Sequence, residues 1–303
     1  MSTVLIPGGS GLIGSRLSQL LREAGHEVLH LSRRPRPNAV FTTYRWDPAQ
    51  NQIEDEAIRR SDFVVNLAGA GIADKPWTSA RKRVIVQSRV DSASTLLSAF
   101  ERLQHFPQAY LSSAAIGYYG DRGNEWLYED SPPGDGFLSE SCIAWENAID
   151  EIARAGVRSV ALRIGIVLST RGGALEKMLL PFQFRTGVYF GDGSQWYSWI
   201  HIDDICRMFI RAMEDTAMEG VYNGAAPNPA TNKELTEAIK VALGKPAFIF
   251  PAPAFALRLA MGEMADTILS STRASSEKIE KAGFEFSYPT LEKALPSLLE
   301  RKV

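Results

Sequence analysis

A glycine-rich segment near the start of the chain constrains the fold most. The residues Pro7-Gly-Gly-Ser-Gly-Leu-Ile-Gly14 follow an apolar run at residues 3–6 and open a helical pattern at residues 12–24. In a strand, loop and helix of this kind, the glycines provide a tight turn, a close backbone approach to a pyrophosphate and close helix–sheet packing. The N–H groups at the start of the helix then face the phosphates. The segment therefore predicts a dinucleotide-binding βαβ unit.

Apolar runs alternate with helical patterns beyond this segment. Strands are predicted at residues 3–6, 27–31, 63–68, 109–113 and 159–164, and helices at residues 12–24, 80–103, 139–155, 174–185 and 232–243. Continuous apolar strands separated by helices indicate a parallel sheet that is covered on both faces. The predicted fold is α/β, a Rossmann-like doubly wound parallel sheet with a smaller C-terminal substrate or cap part.

The domain boundaries follow from where this alternation loosens, at about residue 170. We predict an NADP-binding Rossmann domain at residues 1–170, to which residues 196–226 return, and a smaller C-terminal part at residues 171–195 and 227–303. Residues 114–137 are rich in Gly, Pro, Asp and Tyr and too long for a simple connection. Long loops at the carboxyl ends of parallel strands carry ligand sites in such folds, so we expect one here.

Composition excludes several classes of protein. The 303 residues are 45% hydrophobic and 22% charged, with a net charge of -2, which fits a globular domain and argues against nucleic acid as a partner. Cys142 and Cys206 are too few for a disulfide framework or a thiolate zinc site, and no metal site is predicted. We expect no signal peptide, because a strand-like run begins at Thr3 without a basic segment before it, and the most apolar stretch, residues 248–262, is interrupted by prolines. We expect a soluble cytoplasmic protein with no membrane partner.

The end of the second predicted strand decides which dinucleotide is preferred. A site for NAD places an acidic residue there to bind the ribose 2′-hydroxyl, whereas this chain reads Leu31-Ser-Arg-Arg34. A guanidinium binds a phosphate with charge-assisted hydrogen bonds of about 1.5–3 kcal/mol, so NADP(H) should be preferred roughly tenfold or more. We hypothesise that Ser32 and Arg33 hold the 2′-phosphate; the alternative is that the arginines are solvated loop charges.

Four motifs resemble the extended short-chain dehydrogenase/reductase superfamily. They are the Gly8/Gly11/Gly14 spacing, Asn66-Leu-Ala-Gly69, Ser112-Ser113 followed by Tyr119-Gly120, and Trp199-Ile-His-Ile-Asp-Asp204. Within it, the chain is most similar to the epimerase-like family of the SDR39U1/YfcH/SulA type. The features shared with that family are Ile116-Gly-Tyr-Tyr-Gly120, Trp145-Glu146, Ser198-Trp-Ile-His201 and Ala282-Gly-Phe-Glu-Phe286.

The resemblance implies a Rossmann domain that binds NADP(H), with a small C-terminal part that shapes a substrate cleft. The cofactor-binding residues that it implies are Gly8, Gly11, Leu12, Ile13, Gly14, Ser32, Arg33, Leu67, Ala68, Gly69, Arg89 and Arg163. Arg89 lies in an amphipathic helix and Arg163 interrupts an apolar run. A structural ion pair remains the alternative for both, because an unpaired buried charge is costly.

The chain departs from the superfamily at its catalytic pair. The positions of the usual Tyr-x-x-x-Lys pair appear here as Leu138 and Cys142, neither of which can replace it. Loss of a general acid typically costs about 10²–10⁴ in rate. The remaining candidates for proton transfer are Tyr118 and Tyr119 at the mouth of the long loop, with Ser113 on the preceding strand.

His201 and Trp196 are interpreted as structural residues or as part of the cleft wall. His201 stands at the start of a predicted helix, next to acidic residues, and is interpreted as a capping or packing residue. Trp196 belongs to an aromatic group that either lines the cleft or closes the C-terminal part against the core.

Two functional interpretations stay open at this stage. The first is an NADP-dependent oxidoreductase or epimerase-like enzyme that acts on a small carbonyl or carbinol substrate with an unconventional proton donor. The second is a non-catalytic protein that holds NADP(H) in a regulatory or sensing role linked to cell division, as the family resemblance suggests. The helix at residues 80–103 fits a homodimer interface and intramolecular packing equally well.

Overall fold

The computed structural model describes residues 1–35 and 38–299. The chain divides into two compact units. The first contains Met1–Ala114, Ser141–Leu162 and Cys206–Tyr222, and the second contains Ala115–Glu140, Arg163–Ile205 and the stretch from Asn223 onward. The assignment of a cofactor domain and a substrate domain stays a prediction.

The elements alternate between strands and helices over the first two thirds of the chain. In chain order they begin with β1 (Thr3–Pro7), α1 (Leu12–Glu23), β2 (Glu27–Ser32), β3 (Thr42–Asp47), β4 (Gln52–Ile53), α2 (Asp55–Arg59), β5 (Phe63–Asn66), α3 (Ser79–Leu103), β6 (Ala109–Ala115), β7 (Trp126–Leu127), α4 (Phe137–Arg154), β8 (Ser159–Ile164) and β9 (Ile166–Leu168). They continue with α5 (Gly173–Leu179), β10 (Thr186–Phe190), β11 (Trp196–Tyr197), β12 (Trp199–His201), α6 (Ile202–Glu214), β13 (Gly220–Gly224), β14 (Ala230–Thr231), α7 (Asn232–Leu243), β15 (Phe248–Ala252), α8 (Ala254–Met261), α9 (Ala265–Leu269), β16 (Arg273–Ala274), α10 (Glu277–Lys281) and α11 (Leu291–Leu299).

Eight strands of the described chain form one sheet in the order β13-β8-β6-β5-β1-β2-β3-β4. Strand β1 pairs in parallel with both β2 and β5, and the parallel pairing continues to β3 on one side and to β6 on the other. The strand order therefore reverses at β1. A reversal of this kind opens a crevice at the carboxyl ends of the strands, where open α/β sheets bind ligands. The predicted α/β fold is confirmed.

The centre of this sheet is almost completely buried. Val4, Leu5 and Ile6 of β1 are inaccessible to solvent, as expected for a parallel strand covered by helices on both faces. Helix α3 contributes apolar side chains to the same core, and of its large apolar side chains in the described residues Val84 is the exposed one. A homodimer through this helix therefore stays a prediction.

Two parts of the chain differ from the sequence-based expectation. The helix predicted at residues 174–185 ends at Leu179, and a separate 3-10 turn covers Pro181–Phe184, because proline has no N–H to continue the helical hydrogen bonds. Strands β3 and β4 and helix α2 were not predicted. Strand β3 lies toward the edge of the sheet and is mostly accessible to solvent, so it lacks the apolar run that marks a buried strand.

The second unit contains several short strand pairs and a C-terminal segment that is held by two neighbouring residues. His201 Nδ1 accepts a hydrogen bond from the Asp203 N–H at 3.0 Å, and its ring stacks on Tyr288 with 3.8 Å between centroids. The buried Asp204 carboxylate accepts the backbone N–H groups of Ser287 and Tyr288 at 3.0 and 2.9 Å. The interpretation of His201 as a capping and packing residue is confirmed. None of the described helices is both long and apolar enough to cross a membrane.

Candidate functional site

The loop after β1 lies directly against the segment that follows β5. Gly8 has a φ of +80°, and a Cβ at this position would lie 2.5 Å from the carbonyl oxygen of Leu67. A Cβ on Gly14, in the first turn of α1, would lie 2.5 Å from the carbonyl oxygen of Gly8. Both glycines are therefore required by the geometry, since real Cβ atoms do not approach other atoms so closely. The predicted tight turn and close helix packing are present.

The N-terminus of α1 is suited to an anion. Gly11 is the N-cap residue, and within the described part of the chain no side chain caps the helix and no acidic residue occupies its first turn. The first N–H groups of a helix have no intrahelical acceptor, and the helix dipole adds partial positive charge there. Leu12 and Ile13 supply such N–H groups at the end of a loop that the glycines keep narrow. This is the arrangement that binds phosphate groups in α/β proteins.

His30, on β2, packs beneath the glycine loop and was not singled out from the sequence. A Cβ at Gly9 would overlap its imidazole ring. Ser18 Oγ donates to the Gly14 carbonyl at 2.7 Å, so at 2.8 Å from His30 Nε2 it accepts a hydrogen bond, and the ring proton is on Nε2. Burial lowers the pKa of His30 to about 4, which makes the ring neutral near pH 7.

Asn66 fixes the turn that receives the glycine loop. Its Oδ1 accepts the N–H of Ala68 at 3.1 Å, and its Nδ2 donates to Ser92 Oγ at 3.0 Å and to Tyr110 Oη at 2.8 Å. The side chain is 1% exposed and fully hydrogen-bonded. Asn66 thus holds Leu67 and Ala68 at the carboxyl end of β5, which explains the Asn-Leu-Ala-Gly motif in physical terms.

Arg33 is an exposed cation at the carboxyl end of β2. The hydroxyl of Ser32 accepts the N–H of Arg34 at 3.1 Å, which shapes the turn that follows the strand. Within residues 1–35 and 38–299, Arg33 has no ion pair or hydrogen bond through its side chain. Its guanidinium is therefore available to an external anion, as the sequence-based hypothesis requires.

The Arg89 side chain is held beside the segment that follows β5 by backbone carbonyls and not by a carboxylate. Its Nη1 donates to the carbonyls of Ala70 at 3.1 Å and Ile85 at 2.8 Å, and its Cζ lies 4.8 Å from the Trp145 ring centroid. Burial lowers the pKa of the Arg89 guanidinium, and the nearby Cys142 sulfur acts in the opposite direction. Among the described residues Arg89 forms no ion pair, so the structural ion pair considered from the sequence is not what holds it.

Residues 69–70 are held in place by contacts with side chains of α3. Gly69 lies beside the Arg89 guanidinium, since a Cβ there would be 3.2 Å from Cζ. Ser88 Oγ accepts the N–H of Ala70 at 2.9 Å. Helix α3 thus positions the backbone of residues 69–70 through two adjacent side chains.

Ser113 lies on β6 in the first unit. Its hydroxyl donates to the Asn66 carbonyl at 3.3 Å, and the side chain is 8% exposed. The adjacent Ser112 is completely buried and donates to the Ser113 carbonyl at 3.0 Å. Of the two serines, Ser113 is the one with some access to solvent.

Tyr119 and Arg163 belong to a buried hydrogen-bond network in the second unit. Tyr119 Oη donates to Asn223 Oδ1 at 2.7 Å and accepts from Arg163 Nη1 at 2.9 Å. Arg163 Nη1 also donates to the Glu129 carbonyl at 3.0 Å, while Glu129 Oε1 accepts the Asn223 N–H at 2.8 Å. Burial raises the pKa of Tyr119 to about 12. Its hydroxyl is thus committed as both donor and acceptor, which suits a packing role better than proton transfer.

Tyr118 is placed differently. Its ring is half-buried and lies on the Arg163 guanidinium, with 3.5 Å from Cζ to the ring centroid, and meets Tyr119 edge-on at 5.4 Å. Its backbone carbonyl accepts hydrogen bonds from the Gly134 N–H and the Ser139 hydroxyl. No described residue forms a hydrogen bond with its phenolic hydroxyl. Of the two tyrosines, Tyr118 is the one with a hydroxyl available for chemistry.

The predicted residues thus fall into two groups. The first unit gathers one group around the ends of β1, β2 and β5. It contains Gly8, Gly11, Leu12, Ile13, Gly14, Ser32, Arg33, Leu67, Ala68, Gly69, Arg89 and Ser113. The second unit contains Tyr118, Tyr119 and Arg163. The described residues include no group of three or more metal-ligating side chains. Sequence reasoning missed Asn223 and Glu129, because nothing in their local patterns signals partners so far along the chain.

A parallel sheet with a glycine cradle at its switch point defines a Rossmann-type α/β protein. The chain belongs to the NAD dependent epimerase/dehydratase family, whose model matches residues 4–224, and a domain of unknown function, DUF1731, matches residues 252–298. It is 35% identical over 300 residues to the mouse epimerase family protein SDR39U1, covering 98% of this chain and 99% of the mouse protein. The resemblance to the epimerase-like family of SDR39U1 is confirmed.

Solved structures agree with this membership. The crystal structure of human epimerase family protein SDR39U1 (isoform 2) with NADPH matches with a TM-score of 0.88 and 34% identity, over 98% of this chain and 99% of that chain. The UDP-glucuronic acid 4-epimerase from Bacillus cereus, in complex with UDP-glucuronic acid and NAD, has a TM-score of 0.80 over 98% of both chains. At 18% identity it supports the fold alone.

Replacing Gly8 tests the close approach to Leu67. Gly8→Ala adds a methyl group with no room beside backbone that cannot move away, in addition to the strain of a positive φ. Gly25→Ala is the matched control, because Gly25 has a φ of +85° but open space around it. We expect Gly8→Ala to lower the free energy of unfolding by about 1–3 kcal/mol more than Gly25→Ala. Denaturant unfolding followed by circular dichroism measures the difference; equal losses would contradict the steric argument.

The buried His30 should make stability depend on pH. Its pKa is about 4 in the folded protein and 6.5 ordinarily, so between these values the unfolded chain binds a proton that the folded chain does not. Stability should therefore fall as the pH drops from about 6.5 to 4, by roughly 2–3 kcal/mol. His30→Asn should flatten this dependence, and NMR titration of the imidazole should give the pKa directly. A midpoint near 6.5 for His30 would disprove the assignment.

Proposed function

We propose that the chain binds NADP(H) at the carboxyl edge of its sheet. The observation that carries the proposal is the glycine cradle, in which Gly8 and Gly14 leave no room for a Cβ and the N-terminus of α1 is uncapped. The cradle fits a pyrophosphate, because exposed helix N–H groups and close backbone approach are what such a group requires. The human relative that was crystallised with NADPH supports the choice of ligand.

The residues that would hold the cofactor lie in the first unit. Gly8, Gly11, Leu12, Ile13 and Gly14 would bind the pyrophosphate through backbone N–H groups, and Ser32 and Arg33 would bind the 2′-phosphate. Leu67, Ala68 and Gly69 would form the opposite wall, and Arg89 would present its charge next to Gly69. Arg33 favours NADP(H) over NAD(H), because its guanidinium is unpaired among the described residues and no acid stands at the end of β2.

The activity that this site supports best is that of an oxidoreductase or epimerase-like enzyme with a small carbonyl or carbinol substrate. When bound, NADP(H) supplies or accepts a hydride at its nicotinamide ring. The chain itself must then move a proton to or from the substrate oxygen. We assign this step to Tyr118, since its hydroxyl is not engaged by any described residue, and give Ser113 a positioning role.

A second function is favoured by one specific observation. Leu138 and Cys142 stand where the superfamily's tyrosine and lysine are expected, and Cys142 is buried. A protein with this pattern would bind NADP(H) without turnover and act as a regulatory or sensing protein in a role linked to cell division. Both proposed functions require NADP(H) binding. They differ in whether the protein has a residue that can transfer a proton to or from a substrate.

The cofactor preference has a direct test in the charge of Arg33. Arg33→Ala should lower the affinity for NADPH about tenfold or more and leave the affinity for NADH nearly unchanged, because only NADPH has a 2′-phosphate. Arg59→Ala, which removes an exposed arginine of the same unit, is the control. Nicotinamide fluorescence and thermal shift with both nucleotides give the ratio. An unchanged NADPH/NADH ratio in Arg33→Ala would refute the role of Arg33, and no binding of either nucleotide would refute the proposed function.

The roles of the two tyrosines can be separated by removing each hydroxyl. With a carbonyl substrate found by screening for NADPH oxidation, Tyr118→Phe should lose about 10²–10⁴ in rate with little change in stability. Tyr119→Phe should lose about 1–3 kcal/mol of stability, since it leaves Asn223 Oδ1 without its donor and removes one of the acceptors of Arg163, and keep the activity per folded molecule. Full activity in Tyr118→Phe would exclude it as the proton donor. NADPH binding without turnover of any substrate would favour the regulatory function.

A further inference from the structure

Three short strands of the second unit place an arginine between two tryptophans. Arg273 on β16 is directly opposite Trp126 on β7 in a parallel pair. On the other side of β16, the Thr272 N–H donates to the Trp196 carbonyl at 3.0 Å, and Tyr197 of β11 bridges to Thr272. Arg273 therefore has one indole on each flank. Neither the proposed cofactor site nor the tyrosine network uses these residues.

The guanidinium is clamped between the two rings. Its Cζ lies 4.0 Å from the ring centroid of Trp126 and 4.0 Å from that of Trp196. Stacking of this kind is favourable for a guanidinium and fixes the plane in which its N–H groups point. Trp196 is itself held in place, because its Nε1–H donates to Asn124 Oδ1. Trp126 is 37% exposed, so one wall of the clamp reaches the solvent.

The arginine has no acceptor in the described chain. Its Nε is buried without a hydrogen-bond partner, and no carboxylate or carbonyl within residues 1–35 and 38–299 pairs with the rest of the guanidinium. Arg163, which is buried in the same unit, differs because a hydroxyl and a backbone carbonyl accept its hydrogen bonds. An unsatisfied buried donor is costly, so a cation fixed in one plane without an acceptor points to a ligand from outside the chain.

The nearby carboxylates of the same loop are committed elsewhere. Asp121 Oδ1 accepts the N–H groups of Gly123 at 3.3 Å and Ser271 at 3.1 Å. Glu125 forms an ion pair with Arg122 at 2.8 Å. The loop thus carries acidic residues on both sides of Asn124, yet neither one neutralises Arg273.

We propose that Arg273 is a binding site for the carboxylate group of a small molecule. Two in-plane N–H groups match the two oxygens of a carboxylate, and a planar group continues the plane of the guanidinium between the indole walls. A tetrahedral phosphate is also an anion but does not fit a planar slot as well. The site rests on contacts within the second unit alone, so it is independent of the proposed cofactor. If the chain is an enzyme, its substrate or an effector carries a carboxylate.

The test is an NMR titration of the whole protein with succinate, benzoate and inorganic phosphate, against sodium chloride at matched ionic strength. The Arg273 Nε–H resonance, assigned by its loss in Arg273→Gln, reports occupancy directly. At least one carboxylate should shift it saturably and bind more tightly than phosphate. Carboxylate affinity of the variants is followed on the Trp126 and Trp196 indole N–H resonances, which every variant keeps. Arg273→Lys keeps the charge but lacks the planar fork, so it should lose about tenfold or more in carboxylate affinity, as should Arg273→Gln. Arg258→Gln, which removes an exposed arginine of the same unit, should bind as the unchanged protein does.

Each other outcome overturns the proposal. A chloride titration that reproduces the shift, or carboxylate affinity that survives in both Arg273 variants, would show a non-specific charge effect. No saturable shift with either carboxylate would mean that the clamp is cross-strand packing alone, and tighter binding of phosphate would reject the carboxylate assignment. Thermal unfolding of the variants shows that they are folded. NADPH titration of the same samples reports on the cofactor separately, so a failure here is distinguishable from a failure of the proposed function.

Discussion

The close approach of two backbone segments, at Gly8 and Leu67, is the constraint on which the candidate cofactor edge depends. A side chain at Gly8 would overlap the Leu67 carbonyl, and one at Gly14 would overlap the Gly8 carbonyl, so the loop and the first turn of α1 pack as bare backbone. Asn66 holds the other side by binding the Ala68 N–H with a buried amide. The uncapped end of α1 can serve an anion only because both sides of this contact are fixed.

The central strands of the sheet are predictable from the sequence because they are buried on both faces. Strands β1 and β5 contain the uninterrupted apolar runs at residues 4–6 and 63–65 because helices cover both faces of the sheet, and such runs are visible without a structure. Strand β3, next to the edge strand β4, is mostly accessible to solvent, and its polar sequence gives no such signal. Gly8 and Gly14 were predictable because their conformational and steric requirements are local. The role of His30 was not predictable, because it depends on the contact between the imidazole ring and Gly9, which only the tertiary structure brings about.

The hydrogen-bond partners of the arginines could not be predicted from the sequence. Arg33, Arg89, Arg163 and Arg273 are the same residue type, and their functions differ according to what accepts their hydrogen bonds. Arg163 is satisfied by Tyr119, which lies 44 residues away in the chain, and by a carbonyl of the long loop. Arg89 uses two carbonyls, one of them within its own helix. No pattern of neighbouring residues indicates these partners, because they are brought together by tertiary structure alone. Of these four side chains, those of Arg33 and Arg273 have no acceptor among the described residues.

Two arginines place positive charge near Cys142 and near Tyr118, in a chain that lacks the superfamily's lysine. In the superfamily that lysine provides a positive charge beside the tyrosine and a hold on the cofactor ribose. In this chain the Arg89 guanidinium lies close enough to Cys142 for the sulfur to affect its pKa, so a cation remains near the position that the lysine has lost. For the tyrosine, Arg163 provides a charge 3.5 Å from the centre of the Tyr118 ring. Each unit thus contains one such guanidinium, Arg89 near Cys142 in the first and Arg163 against Tyr118 in the second. Because a guanidinium stays protonated throughout the physiological range, neither can relay a proton itself. In the proposed enzyme, the Tyr118 proton would therefore have to be exchanged directly with water or with the substrate.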